Sequence, residues 1–210
     1  MTLATPLSPT AGPARPESLV LGSTSPYRRL LLERLGLPFV VAAPGVDEFP
    51  RPGEPPHGLA VRLAGLKAEA VARQHPDAWV IGSDQVAALD DEVLGKPGTI
   101  ETACQQLAMS SGRVVTFHTA VRLMQGSTGR QESHVDITRV KFRVLSDREI
   151  VRYVERDRPL DCAGSFRSEG LGITLFERLE TEDPTALVGL PLIWLAGALR
   201  RAGLDPLGGP

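Results

Sequence analysis

Three stretches of the chain predict an α/β fold. Residues 19–36 read as strand, loop and helix in one run, 79–81 as a buried apolar strand, and 114–124 with 134–144 as two long antiparallel strands. A chain of 210 residues, 42% of them hydrophobic, can bury one sizeable core, as one α/β domain or as two small lobes.

The first unit is short and apolar from Leu19 to Leu21 and stops at Gly22. Ser25 followed by Pro26 is a helix start, Ser as N-cap and Pro at the first helical position. Leu31 and Leu35 recur at helical spacing, and Gly36 is placed to end the helix. Charge is the unusual feature. Arg28 and Arg29 occupy the first turn, where the helix end is already positive and acidic side chains are preferred. An anion docked there relieves the repulsion, and the hydroxyls of Ser23, Thr24 and Ser25, the free N–H groups and two guanidiniums suit a phosphate chain. Two solvated arginines on a surface helix are the plainer alternative.

Farther along, residues 39–42 form a second strand, and 50–58, with four prolines and two glycines, form a loop. From Leu59 a helix presents Leu59, Leu63, Leu66 and Ala70 on one face, with Lys67 at its border. Gly82-Ser83-Asp84-Gln85 follows the strand at 79–81, at the end of a sheet strand where ligands bind. Asp90-Asp91 turns a hairpin, and Gly95-Lys96-Pro97 closes it. Thr99 caps a helix to about Ser110. In the second long strand Val135 and Ile137 share one parity, while Val140, Phe142 and Val144 share the other, which implies a bulge near Thr138-Arg139. Ser146-Asp147-Arg148-Glu149 is a capping box opening a helix that ends before Pro159. A glycine-rich loop over 164–172 leads into an apolar strand at 173–176, and the last helix runs from near Pro191 to before Gly203.

Composition excludes several classes. A net charge of −2 provides no global basic field for nucleic acid or membrane surfaces. No stretch is long and apolar enough to span a bilayer. Residues 1–17, rich in Pro, Thr and Ala, read as a flexible leader on a cytoplasmic protein, followed by a single domain over 18–210. Cys104 and Cys162 form no CxxC and no Cys/His cluster, which indicates a reducing compartment and no structural zinc, with a disulfide between them left open.

The carboxylates that follow strands are Glu48 and Asp84. Asp84 is suited either to hold Mg²⁺ against phosphate oxygens or to take a proton from water; an Asx turn, and a solvated loop carboxylate for Glu48, are the alternatives. Lys67 and Lys96 are the matching cations, Lys67 being equally a snorkelling helix residue. His118, alternating with apolar neighbours, reads as a satisfied sheet histidine. No Walker loop, GxGxxG or GxSxG motif occurs.

Six motifs, in order, carry a resemblance: Gly22-Ser23-Thr24-Ser25-Pro26-Tyr27-Arg28-Arg29, Val46-Asp47-Glu48, Lys67-Ala68, Gly82-Ser83-Asp84-Gln85, Gly95-Lys96-Pro97 and Ser110-Ser111-Gly112. Together they resemble the Maf family of nucleotide pyrophosphatases over residues 19–207. Cys162-Ala163-Gly164-Ser165-Phe166-Arg167-Ser168-Glu169-Gly170 and Leu187-Val188-Gly189-Leu190-Pro191-Leu192 are similar to the subgroup that hydrolyses 7-methyl-GTP. The resemblance implies a mixed twisted sheet with flanking helices, related to the inosine-triphosphate pyrophosphatases, in two lobes around a central cleft and often dimeric. It implies a divalent cation, Mg²⁺ or Mn²⁺, and water attack on the α-phosphorus, releasing pyrophosphate and a nucleoside monophosphate. By the same resemblance Asp84 is the proton acceptor, Arg28, Arg29, Lys67 and Lys96 bind phosphate, Ser23 belongs to the substrate loop, and Glu48 joins Asp84 as a metal ligand. Tyr27, Gln85 and Glu169 match the positions that set base choice.

Elementary chemistry agrees with that base. A 7-methylguanine ring is positively charged, so Tyr27 stacked on it gains about 1 to 2 kcal/mol of cation–π attraction. Glu169 can accept from the guanine N1–H and N2 amine, whereas a pyrimidine's carbonyls would leave it unpaired. Gly22 stands where family members usually have Ala, and Tyr27 where Trp is usual. Two alternatives remain: a pyrophosphatase of other modified or pyrimidine nucleotides such as dTTP or UTP, and a non-catalytic nucleotide-binding regulator of septum formation.

Overall fold

In the computed structural model, residues 18–208 are described; the leader expected over 1–17 lies outside them. The described chain forms β1 (Leu19–Gly22), α1 (Pro26–Glu33), β2 (Val40–Ala42), α2 (Pro56–Ala72), β3 (Trp79–Leu89), β4 (Glu92–Leu94) and α3 (Ile100–Ser110). There follow β5 (Val114–Gln125), β6 (Gln131–Phe142), α4 (Asp147–Asp157), β7 (Phe176–Glu180) and α5 (Leu192–Arg201). The strands make one open mixed sheet in the order β2-β1-β3-β5-β6-β7, with β4 paired to β3. β1 is parallel to both β2 and β3; the remaining pairs are antiparallel.

Helices cover both faces. On one face α1 and α5 pack with Leu21, Ile81 and Leu123, while α3 and α4 pack with Ala87, Phe117 and Phe142, giving two apolar clusters that share β3 and β5. On the other face α2 packs against the alternate residues Val80 and Val86 of β3 and Val20 of β1. Among the described residues no helix is long and apolar enough to cross a membrane.

A break in sheet pairing leaves Asp84 and Gln85 beside an open strand edge. β3 does not end at Ile81, as the apolar run suggests, but continues through Gly82-Ser83-Asp84-Gln85 to Leu89. Its parallel partner β1 leaves after the Gly22↔Gly82 pair, and β4 joins only at Ala87. Residues 83–86 therefore have a strand neighbour on the β5 side alone. The polar groups that sequence places at a strand end stand in mid-strand, beside an open edge.

Close packing of α2 on that edge depends on glycine. A Cβ on Gly82 would lie 2.4 Å from the Ala64 carbonyl oxygen and 2.5 Å from the Ala68 nitrogen, both helix backbone. The helix starts at Pro56, inside the stretch read as a loop, because proline is tolerated in a helix's first turn where its missing N–H has no partner to lose. Lys67 is not at the border of the buried face but within it, at 5% exposure, and it is Leu66 and Ala70 that are only half-buried.

β6 contains no bulge at Thr138-Arg139; its pairing with β5 is regular from Gln131 to Lys141. Asp136, Thr138, Val140 and Phe142 share one buried parity. The two polar members are accommodated because the Thr138 hydroxyl donates to Asp136 at 3.2 Å and the Thr181 hydroxyl reaches the same carboxylate. Residues 171–175 are a 3-10 turn rather than a strand, and β7 begins at Phe176. The capping box at Ser146 and Glu149 and the Ser25 and Thr99 caps form as expected.

The contact distances give a direct expectation for stability. Gly82→Ala drives a methyl group into helix backbone and destabilises the chain by about 2 kcal/mol or more in urea unfolding. Gly22→Ala, whose added Cβ would meet Ile81 oxygen and Val71 at 3.2 Å, costs less than half as much.

Candidate active site

Beside the open edge of β3 lies a cleft of about 480 Å³, lined among others by Ser23, Tyr27, Arg28, Glu48, Lys67, Asp84, Gln85, Lys96 and Glu169. The volume suits a nucleotide-sized ligand. At its centre the Lys67 ammonium bridges two carboxylates, 2.6 Å from Asp84 Oδ1 and 2.9 Å from Glu48 Oε1. Asp84 is 7% exposed, while the Glu48 side chain, on the loop after β2, is 55% exposed. A buried carboxylate needs a partner of this kind, and the ammonium supplies it. Asp84 thus keeps Oδ2 clear of the ion pair.

Arg28 enters the cleft from the first turn of α1. Its Nε donates to the Gly189 carbonyl at 2.9 Å and one terminal nitrogen reaches Ser23 Oγ at 3.4 Å. Burial pushes the guanidinium below its usual range, and the carboxylates of Asp84 and Glu48 push back. Arg29 does not join it. Its side chain is 63% exposed and pairs with Glu33 one turn along the helix at 2.9 Å. The expected pair of guanidiniums is corrected to one: Arg29 is not among the cleft-lining residues, because about 100° of helical rotation carries it past the wall that Tyr27 and Arg28 share and toward Glu33.

The Gly189 carbonyl also accepts from the Ser83 hydroxyl at 3.0 Å, so it ties α1 to β3. Gln85 points into the same turn: its Nε2 donates to the carbonyls of Ala186 and Leu187 at 2.9 and 3.0 Å and to Thr119. This amide holds the turn that holds Arg28. Lys96 stands exposed on the cleft wall, on a loop anchored by the Gln106 amide to the Gly95 carbonyl at 3.1 Å.

The far end of the cleft is built by residues 161–169. The Arg167 guanidinium pairs with Asp157 at 2.9 Å, its backbone N–H donates to the Tyr153 hydroxyl at 3.0 Å, and that hydroxyl donates to Asp157 at 2.9 Å. Burial opposes ionisation of Asp157, but the bonds from Arg167 and Tyr153 outweigh it and hold the carboxyl below its usual range. This triad fixes the segment that carries Glu169, whose carboxylate accepts from Ser168 at 2.8 Å. Tyr27 lines the same end, its hydroxyl against Asp161 and Cys162.

A family model described as Maf-like protein matches residues 18–202. The chain belongs to the Maf family.

Among its relatives is a protein of Aromatoleum aromaticum named 7-methyl-GTP pyrophosphatase, 60% identical over 190 residues, which are 90% of this chain and 98% of that one. Proteins given the same name in Cupriavidus metallidurans and Xanthomonas campestris are 54% and 58% identical, over 91% and 89% of this chain and 96% and 97% of theirs. The family model's match over residues 18–202 spans every residue that lines the cleft.

Sequence reading missed the Tyr153–Asp157–Arg167 triad and the anchoring role of the 186–189 turn. Arg167 lay within a quoted motif, yet nothing in its spacing tells that it reaches back to α4. His118 is a sheet histidine, but not a satisfied one: its Nδ1 is buried without a partner, and burial followed by the nearby His57 lowers its pKa. Cys104 and Cys162 are both free thiols.

Burial, reinforced by Asp161, pushes the Cys162 thiol up to about 12, so it is protonated through the neutral range. Alkylation of Cys162 by iodoacetamide, followed by peptide mass mapping, is expected to accelerate about tenfold per pH unit up to about pH 10. A plateau below about pH 9 contradicts this environment.

Proposed function

We propose that the chain hydrolyses 7-methyl-GTP to 7-methyl-GMP and pyrophosphate. The observation that carries this reading is the Lys67 bridge between Asp84 and Glu48, in the same cleft as the Arg28 guanidinium and the Tyr27–Glu169 end.

The polyphosphate lies between Arg28 and Lys67, with Lys96 at the cleft wall, so that three cationic side chains can reach its oxygens. Water is placed against Asp84, which takes its proton at Oδ2 while Oδ1 stays on the Lys67 ammonium. The oxygen of that water bonds to the α-phosphorus, the bond from that phosphorus to the bridging oxygen of the β-phosphate breaks, and pyrophosphate leaves with the electron pair. Arg28, braced by Gly189, offsets charge on the departing group.

The donor set fits a divalent cation in part. Glu48 and Asp84 offer hard carboxylate oxygens around one point, the kind that Mg²⁺ and Mn²⁺ accept, but no group of three His, Cys, Asp or Glu converges among the described residues. Substrate phosphate oxygens and water would complete the shell. Such a cation would neutralise the polyphosphate and make bound water more acidic.

At the base end, Tyr27 stacks on the cationic ring and Glu169 accepts from its Watson–Crick edge, so neutral pyrimidines are disfavoured. Gln85, expected to help set base choice, lines the cleft with its amide nitrogen bonded to the 186–189 turn.

Pyrophosphate release from 7-methyl-GTP, GTP, UTP and dTTP under identical conditions tests the reading, and equal rates for all four contradict it. Asp84→Asn is expected to retain nucleotide binding by calorimetry while turnover falls about a hundredfold or more. Glu169→Ala is expected to narrow the gap in kcat/KM between 7-methyl-GTP and UTP more than it lowers kcat on 7-methyl-GTP.

A further inference from the structure

The base end holds a carboxylate to which the reading above gives no role. The Tyr27 hydroxyl donates to Asp161 Oδ2 at 3.4 Å, and both residues line the cleft. Three other polar groups face this spot. Arg167 pairs with Asp157 at 2.9 Å and also reaches the Tyr27 hydroxyl, Glu169 accepts from Ser168, and Cys162, with its thiol 3.9 Å from the Tyr27 hydroxyl, stays protonated. The Asp161 carboxylate thus stands next to the aromatic platform, with the Tyr27 hydroxyl donating to it.

The chemistry of the two guanine bases decides what that charge can do. Guanine and 7-methylguanine present the same N1–H and N2 amine, so a carboxylate on that edge, as Glu169 is, does not by itself distinguish them. They differ in the positive charge of the methylated ring. A phenol that donates its proton to a carboxylate gains electron density in its ring, which strengthens its attraction for a stacked cation, and the carboxylate adds a direct Coulomb attraction at short range.

We propose that Asp161, acting through the Tyr27 hydroxyl, is the residue that selects a positively charged purine base over a neutral one. It is a specificity-determining, positioning residue rather than a catalytic one, and the assignment rests on the functional reading above. The link is local to this chain's pairing of tyrosine with aspartate, since a tryptophan at position 27 has no hydroxyl to donate.

The test compares kcat/KM for 7-methyl-GTP and for GTP in the parent chain, Asp161→Asn, Tyr27→Phe, the double variant and Asp161→Glu, at a pH where the methylated base carries its positive charge. The ratio of the two values is expected to fall by about threefold or more in each single variant. The double variant is expected to fall no further than the larger single effect, because both break one link. Asp161→Glu restores the ratio. A smaller change in Asp161→Asn, or equal losses on both nucleotides, overturns the proposal. A parent chain that releases no pyrophosphate from 7-methyl-GTP instead overturns the functional reading, which separates the two failures.

Discussion

The site depends on one close approach, the seating of α2 on the paired glycines Gly22 and Gly82. With no Cβ at position 82 the helix backbone rests directly on β3, and only at that depth does Lys67 reach Asp84 at 2.6 Å. The ammonium is expensive to bury, and the two carboxylates make its burial tolerable. Each of the three charges is thus conditional on the others. Asp84 gains a fixed orientation, Lys67 gains its counter-charge, and the loop after β2 is drawn to the cleft through Glu48. The gap in pairing between Gly22 and Ala87 completes the arrangement, since a continuous neighbour along β3 would cover the edge where the ligand must lie.

A second scaffold works from the opposite face of the sheet. Asp183 and Thr185 supply hydrogen-bond acceptors to the first amides of α5, Ile193 at 2.6 Å and Leu192 at 2.8 Å, in place of a side-chain cap from Pro191. Thr185 also donates to the Leu190 carbonyl at 2.8 Å. The turn over 186–189 is held on one side by these groups and on the other by Gln85 and Ser83, and it presents the Gly189 carbonyl to Arg28. Side chains on α2 and residues on this turn therefore approach the open edge from opposite faces of β3. Alternation along one strand sends Asp84 one way and Ser83 and Gln85 the other.

Much of this was legible in the sequence, and what was not has physical causes. The caps at Ser25, Thr99 and Ser146 are local, because a side chain and the amide it accepts from lie three residues apart, and each forms where the residues predict. The convergence of Ser23, Arg28, Glu48, Lys67 and Asp84 was readable only as a set of motifs, since each residue alone had an ordinary alternative. Asp84 in mid-strand was not readable: a polar run after an apolar one looks like a strand end, and the gap beside it is a property of its neighbours. Asp136 and Thr138 misled for the same reason, being polar residues on a buried face that satisfy one another. Arg29 was misjudged by charge alone, whereas helical geometry turns it away from Arg28 and toward Glu33.

The central claim is that one cleft orders a nucleotide with its α-phosphorus at Asp84 and its base at Tyr27. The most direct measurement is a crystal structure of the chain with 7-methyl-GTP whose α,β-bridging oxygen is replaced by methylene. The account predicts phosphate oxygens on Arg28 and Lys67, Asp84 Oδ2 facing the α-phosphorus, the ring stacked on Tyr27 and the Glu169 carboxylate on its N1–H edge. A nucleotide seated elsewhere, or one whose α-phosphorus lies beyond the reach of a single water from Asp84, would contradict it.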